Sequence, residues 1–114
     1  MGYYRVFATG PDGTGSQFGK ISMEEMEKFK EWSKTKGWRF MVHPVGTAFD
    51  WHSPQFKTIV VVLSGQIELT VSDGTSMTFG PGDFRIMSDF GKGHKSRVIG
   101  DKPVELLNID VSDD

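Results

Sequence analysis

The 114-residue chain contains no cysteine, no long apolar run and no large excess of charge of one sign. Without cysteine it cannot form disulfides, bind zinc through thiolates or use a thiol nucleophile. No apolar stretch approaches the length of a membrane span, and the first residues do not form a signal peptide. We therefore expect no membrane association and a cytoplasmic location. The 13 basic and 15 acidic residues give a net charge of −2, which provides no basic surface for nucleic acid.

Segments with a helical pattern are also scarce. The 14 glycines and 5 prolines indicate many turns and favour short strands over long helices. In the one helical segment, Ser22 and Glu25 have the spacing of a capping box. An apolar stripe with helical spacing follows, and Gly37 ends it. We predict a single helix over residues 23 to 36, and a loop over the glycine-rich residues 9 to 19.

Alternation of apolar and polar residues with a period of two dominates the rest of the chain. Asp73-Gly74 between two alternating segments is a strong hairpin signal. The chain as a whole contains about eight short strands at regular spacing, the first over residues 3 to 8. Such a series must close on itself to avoid open edges. We predict one all-β domain over residues 1 to 114. Its barrel core covers about residues 38 to 111, and a strand and a helix occupy residues 1 to 37.

One segment of the predicted barrel resembles the first conserved motif of the cupin superfamily. That motif is commonly Gly, five residues, His-x-His, three or four residues, Glu, six residues, Gly. Gly46, His52 and Gly65 keep this frame without a gap. Pro54 stands where the second His would be, and Thr58 stands where the Glu would be.

A second segment is similar to the second cupin motif, which is Gly, five residues, Pro-x-Gly, two residues, His. Gly82 begins it, Asp89 replaces the Pro after one extra residue, and Gly91 and His94 keep the final spacing. The chain thus resembles small single-domain bacterial cupins. The resemblance implies a double-stranded β-helix, or jelly-roll, barrel with the N-terminal helix outside it or at one end.

The two histidines of these motifs are the catalytic candidates, because the cupin resemblance places both inside the barrel on neighbouring strands. Imidazole suits iron, nickel, manganese, copper or zinc, so a divalent transition metal is the expected cofactor. Asp50 precedes His52 by two residues and, by strand alternation, points to the same side. Asp50, His52 and His94 would then form a two-His-one-carboxylate triad. Because Pro54 and Thr58 remove two of the usual ligands, a binding pocket without a metal is the alternative.

Four further residues are candidates for a substrate pocket in the barrel. Phe40 and Trp51 offer apolar surface to a ligand, and Thr58 occupies a motif position. Arg97 has the planar fork that suits a carboxylate, and Arg85 would serve equally if it points inward.

Three functions are consistent with these residues, and the sequence leaves open whether the chain is an enzyme. The first is a metal-dependent enzyme, a dioxygenase or an isomerase. The second is a metal-free enzyme in which His52 or His94 acts as general acid or base. The third is a non-catalytic module that binds a small molecule. In each case the expected partners are a small-molecule ligand and a second copy of the chain, paired by sheet extension through residues 3 to 8.

Overall fold

A computed structural model describes residues 2–111. Ten β-strands and one short α-helix make up its regular structure, together with a single 3₁₀ turn at Glu27–Lys30. The elements are β1 Tyr3–Thr9, β2 Gly15–Lys20, α1 Met23–Met26, β3 Thr35–His43, β4 Ala48–His52, β5 Thr58–Ser64, β6 Gln66–Thr70, β7 Ser76–Phe79, β8 Phe84–Ser88, β9 His94–Ile99 and β10 Val104–Val111.

The strands form two sheets that pack face to face. One has six strands in the order β2-β1-β8-β5-β10-β3, and the other has four in the order β4-β9-β6-β7. Both sheets contribute to one apolar core: Val62 and Val104 come from the larger sheet, and Leu69 and Phe79 come from the smaller. This all-β arrangement confirms the predicted jelly-roll barrel.

The period-two pattern of the sequence becomes the two faces of each strand. In β5 the burial alternates from Thr58 onward, because successive side chains point to opposite faces. The predicted hairpin joins β6 to β7, and Gly74 occupies its turn with a φ of +88°. The Gly74 amide donates to the carbonyl oxygen of Val71 at 3.0 Å, which closes the turn.

Two predictions for the N-terminal third are wrong. The segment predicted as a loop contains β2, which pairs antiparallel with β1 through Phe7 and Gln17 among other residues. The predicted helix keeps its capping box at Ser22 and Glu25 but ends at Met26. Its apolar stripe has little to pack against, since Trp32 is fully exposed. The chain from Thr35 instead pairs with β10, so tertiary strand pairing overrides the local helical pattern.

The single chain shows how β1, the strand expected to pair with a second copy, is placed in the larger sheet. β1 lies between β2 and β8 in the larger sheet, so both of its edges are already paired within the chain. The edge strands of that sheet, among residues 2–111, are β2 and β3. Dimerisation itself stays a prediction. No helix in the described part of the chain is long and apolar enough to cross a membrane.

Candidate functional site

A cavity of about 290 Å³ lies inside the barrel, between the two sheets. Its apolar lining comes from inward-facing positions on six strands: Met41, Phe49, Val60, Ile67, Met87 and Leu106. Its polar lining consists of Arg39, His43, His52, Arg85, His94, Ser96 and Asn108. None of the lining residues is an aspartate or a glutamate, so the side chains that line the cavity supply positive charge and no negative charge.

Strand register places four of the lining residues in one row across the larger sheet. Arg39 of β3 is the partner of Asn108 in β10, and Asn108 is also the partner of Val60 in β5. Val60 in turn is the partner of Arg85 in β8. The row therefore carries an arginine at each end and an asparagine between them.

Arg85 is the most unusual residue of this row. The residue is only 4% exposed, and its guanidinium lies over the ring of Phe79, with Cζ 5.0 Å from the ring centroid. Its Nε and Nη1 atoms are buried without a hydrogen-bond partner among the described residues. Burial lowers the pKa of Arg85 to about 10, an effect partly offset by the charge of Asp89. The side chain is therefore still cationic at neutral pH.

The two motif histidines meet on the smaller sheet. His52 of β4 and His94 of β9 are direct register partners, and their ring centroids are 4.7 Å apart with the planes inclined at 61°. The structure thus brings together the two residues singled out from the sequence, and both line the cavity.

Hydrogen bonds fix the tautomer of each ring when it is neutral. His94 Nδ1 lies 2.7 Å from Oδ2 of Asp89, a fully buried carboxylate. His52 Nδ1 lies 2.8 Å from the backbone carbonyl oxygen of Asp50. Because both oxygens can only accept, each Nδ1 donates, and each Nε2 keeps its lone pair.

The backbone around His94 is held in place by close packing against its neighbours. Gly93 has a φ of +77°, and a Cβ there would overlap the carbonyl oxygen of His52. The Ser16 hydroxyl donates to the Gly93 carbonyl oxygen at 2.6 Å, and the Lys92 amide donates to that of Thr14 at 2.8 Å. The segment that leads into β9 is thereby packed against the end of β4, against Thr14 in the turn after β1, and against Ser16 of β2.

Asp50 does not join the two histidines. The register of β4 against β9 shifts between Phe49 and His52, and this irregularity breaks the alternation on which the prediction depended. Phe49 and His52 face the cavity, whereas Asp50 lies on an outer groove with Arg97. Among residues 2–111, no three His, Asp or Glu side chains are grouped as a metal site would require.

The donor set does not fit a resident transition metal. Two imidazole Nε2 atoms with fixed Nδ1 partners would serve as two ligands, but protein metal sites of this kind use three or four. Thr58, at the motif position of the Glu, has its hydroxyl oxygen 2.8 Å from the carbonyl oxygen of Phe56 and 2.9 Å from Oδ1 of Asp110, and these two acceptors share its one proton. The cavity wall adds the cationic Arg85 instead of a carboxylate.

The four residues predicted for the substrate pocket do not line this cavity. Phe40 is 52% exposed on β3, where it alternates with the lining residues. Trp51 lies beneath the ammonium groups of two lysines, Lys92 and Lys95, at 4.7 and 5.7 Å from its ring centroid. Arg97 donates to Glu68 at 2.9 Å, on the exposed face of the smaller sheet. Thr58 is buried but engaged with Asp110, as described above.

His43 lies at the wall of the cavity on β3. Its ring meets that of Phe49 edge to face, with centroids 4.9 Å apart. Burial lowers the pKa of His43, and the charge of Arg39 lowers it further. The positive charge of Arg39 thus acts on His43 at the cavity wall.

Sequence reasoning did not identify Arg39, Asp89 and Asn108 as parts of the site, and it named Arg85 only on the condition that it points inward. Asn108 carried a usable signal, because it is a polar residue that follows Val104 and Leu106 on the same face of β10. Asp89 stands five residues before His94 at a position read only as a changed motif proline. No local pattern distinguishes the inward from the outward residue on β8, since Arg85 is flanked by Phe84 and Ile86.

The fold and the paired histidines define a member of a known family. The family model for the cupin domain matches residues 38–110, and the chain belongs to that family. No curated protein matches the chain.

Solved structures resemble the fold at low sequence identity. A conserved protein of unknown function from Streptococcus pyogenes is 20% identical with a TM-score of 0.57, over 73% of this chain and 69% of that one. A protein from Neisseria meningitidis is 17% identical with a TM-score of 0.51, over 82% of this chain and 100% of that one. A cupin-2 domain containing protein from Shewanella frigidimarina is 16% identical with a TM-score of 0.49, over 81% and 94% of the two chains. The first two likenesses support the fold.

Proposed function

We propose that this cupin domain binds a small carboxylate inside the barrel and that Arg85 is the group that recognises it. The observation that carries the proposal is the pair of buried guanidinium atoms, Nε and Nη1, that lack a partner among the described residues. A planar guanidinium matches a carboxylate with two parallel hydrogen bonds. Each fork of the guanidinium combines Nη2 with one of these two atoms, so a bound carboxylate would satisfy Nε or Nη1 together with Nη2.

The energetics favour an anion as the ligand. A buried cation without a partner is costly, because it has lost its hydration and gained few hydrogen bonds. The lowered pKa of Arg85 reflects this cost. Binding of an anion would remove the cost, since the Coulomb interaction is stronger in the water-poor interior than at the surface.

The size of the cavity limits the ligand to a small molecule. A volume of about 290 Å³ is near the lower end of the range for ligand pockets. It has room for about ten water-sized groups. Carboxylates from acetate to benzoate lie within this size.

Thermal unfolding in the presence of carboxylates and their matched amides tests the proposal. We expect propionate and benzoate to raise Tm in a concentration-dependent way, and propionamide and benzamide to have no effect. Arg85→Met should abolish the shift, whereas the control Arg97→Gln, on the outer face of the smaller sheet, should retain it. Equal shifts with acids and amides, or a full shift in Arg85→Met, would contradict the proposal.

A second candidate, proton transfer on the bound ligand, is favoured by the hydrogen bond between Asp89 and His94. The carboxylate orients the ring through its hydrogen bond to Nδ1, as the acid does in hydrolase triads. His94 Nε2 would take a proton from the carbon next to a ketone, leaving an enolate, and would return a proton to that carbon. The metal-free enzyme considered from the sequence corresponds to this chemistry.

Exchange of the methyl protons of pyruvate in D₂O, followed by proton NMR, tests this second candidate. We expect the protein to accelerate the loss of the methyl signal and His94→Gln to abolish that acceleration. His43→Gln serves as the control, because His43 lines the cavity but has no carboxylate partner among the hydrogen bonds found. Binding of pyruvate without accelerated exchange would leave a non-catalytic binding module.

A further inference from the structure

Arg39 shares the cavity with Arg85 but differs from it in exposure. Arg39 is exposed and on the edge strand β3, whereas Arg85 is buried on β8. Both line the same cavity. The cavity therefore has a cationic group at its buried wall and another where the barrel opens to solvent.

The register defines how far apart the two arginines are. They lie at the two ends of the row that also contains Asn108 and Val60, three strand spacings apart. At about 4.8 Å for each spacing, their Cα atoms are roughly 14 Å apart along the sheet. Both side chains line the same cavity, so a ligand inside it lies between them. A short ligand can therefore touch both.

Asn108 supports a ligand that extends along this row. It lies between the two arginines in register, and its Oδ1 atom is buried without a partner among the described residues. No acidic residue lines the cavity, although the charge of the buried Asp89 partly offsets that of Arg85. A ligand with a single carboxylate on Arg85 would leave the exposed Arg39 without a ligand contact.

We propose that the ligand is a short dicarboxylate, with its inner carboxylate on Arg85 and its outer carboxylate on Arg39. This inference deepens the proposed function and rests on it, because it assumes that Arg85 binds the first carboxylate. The second carboxylate adds affinity through the more exposed arginine, where solvent weakens the interaction. Its contribution is therefore smaller than that of the first.

Calorimetric titration of succinate against succinamate tests the dicarboxylate directly. The two compounds differ only in that succinamate has an amide in place of one carboxylate. We expect succinate to bind the wild-type protein roughly tenfold more tightly, the size of one charge-assisted hydrogen bond. A dicarboxylate series from malonate to adipate should show one preferred chain length.

Two variants form a cycle with the two ligands. Arg39→Gln should bind succinate and succinamate equally, and at about the affinity of succinamate for the wild type. Arg85→Met should bind neither compound. Arg97→Gln, on the outer face of the smaller sheet, is the matched control and should keep the tenfold preference. Arg39 is exposed, so we expect its replacement to leave the fold intact.

The outcomes distinguish the dicarboxylate inference from the proposal that Arg85 binds a carboxylate. Equal affinity of the wild type for succinate and succinamate would overturn the dicarboxylate and leave carboxylate binding by Arg85 in place. A tenfold preference that persists in Arg39→Gln would likewise overturn the assignment of the outer carboxylate to Arg39. No binding of succinate, succinamate or propionate would overturn both proposals.

Discussion

The interior of this barrel has two neighbouring regions that are opposite in character. The sealed core, which we define as Val6, Leu69, Val71, Phe79 and Val104, is 0% exposed and entirely apolar. The cavity wall includes Arg85 and Asn108, whose buried polar atoms lack partners among residues 2–111. The same strand can build both regions, since β10 contributes Val104 to the sealed core and Asn108 to the cavity.

This difference indicates that the sealed core stabilises the fold and that the cavity wall binds a ligand. Apolar burial stabilises the fold, and unpaired polar groups reduce that stability. A row of unpaired polar atoms next to a well-packed core is therefore better explained by a ligand than by folding. We therefore expect that stability and binding can be changed separately in the two regions.

The largest effect on stability is expected in the sealed core. Leu69 is fully buried, so Leu69→Ala leaves a cavity among packed side chains. We expect a loss of about 3 kcal/mol in the free energy of unfolding, measured by urea denaturation. Carboxylate binding at temperatures where the variant is folded should change little. A large loss of affinity without a loss of stability would break the comparison.

The next effect concerns the contact between strands β4 and β9. Gly93 and Gly74 both have positive φ, at +77° and +88°, but only a Cβ at Gly93 would overlap another part of the chain, the His52 carbonyl. Gly74→Ala should cost about 1 kcal/mol, the strain of the left-handed backbone alone. Gly93→Ala should cost clearly more and should also weaken ligand binding. Equal costs in urea denaturation would contradict the close packing of the two strands.

A much smaller effect on stability is expected at the cavity wall. Arg85→Met replaces a buried cation by an apolar side chain of similar length. We expect the free energy of unfolding to stay the same or to rise by about 1 kcal/mol, because the cost of burying the charge disappears. Carboxylate binding should be lost at the same time. A decrease of 2 kcal/mol or more would show that Arg85 is a structural residue.

No effect is expected from removal of metal ions. The described donor set supplies two histidines and no third acidic or histidine ligand. Carboxylate affinity should therefore be unchanged after exhaustive dialysis against EDTA. A loss of binding that is restored by adding iron, nickel, manganese, copper or zinc would support the metal-dependent enzyme instead.

The barrel could be predicted from the sequence far better than its N-terminal third. From residue 38 onward the strands follow a period-two pattern and turn signals such as Asp73-Gly74, which are local. β2 was missed because Gly15–Lys20 has a low intrinsic strand preference and forms through pairing with β1. The helix was predicted too long because the pairing of Thr35 with β10 depends on residues more than seventy positions away.

The candidate site was predicted only in part, for a related reason. His52 and His94 were found from the motif, and the structure places them together. Asp50 was assigned to the same side because alternation was assumed, and the register shift in β4 breaks that alternation. Whether Arg85 points inward depends on which face of β8 meets the smaller sheet. That is a property of the assembled barrel and not of the local sequence.

The most direct test of the central claim is the NMR signal of the Arg85 Nε–H group during titration with benzoate. The signal is assigned by its absence from the spectrum of Arg85→Met. Our account predicts that it moves strongly downfield and saturates with the same Kd as the calorimetric titration, because the carboxylate accepts a hydrogen bond from this atom. A signal that stays in place while benzoate binds would contradict the assignment of Arg85 as the carboxylate-binding residue.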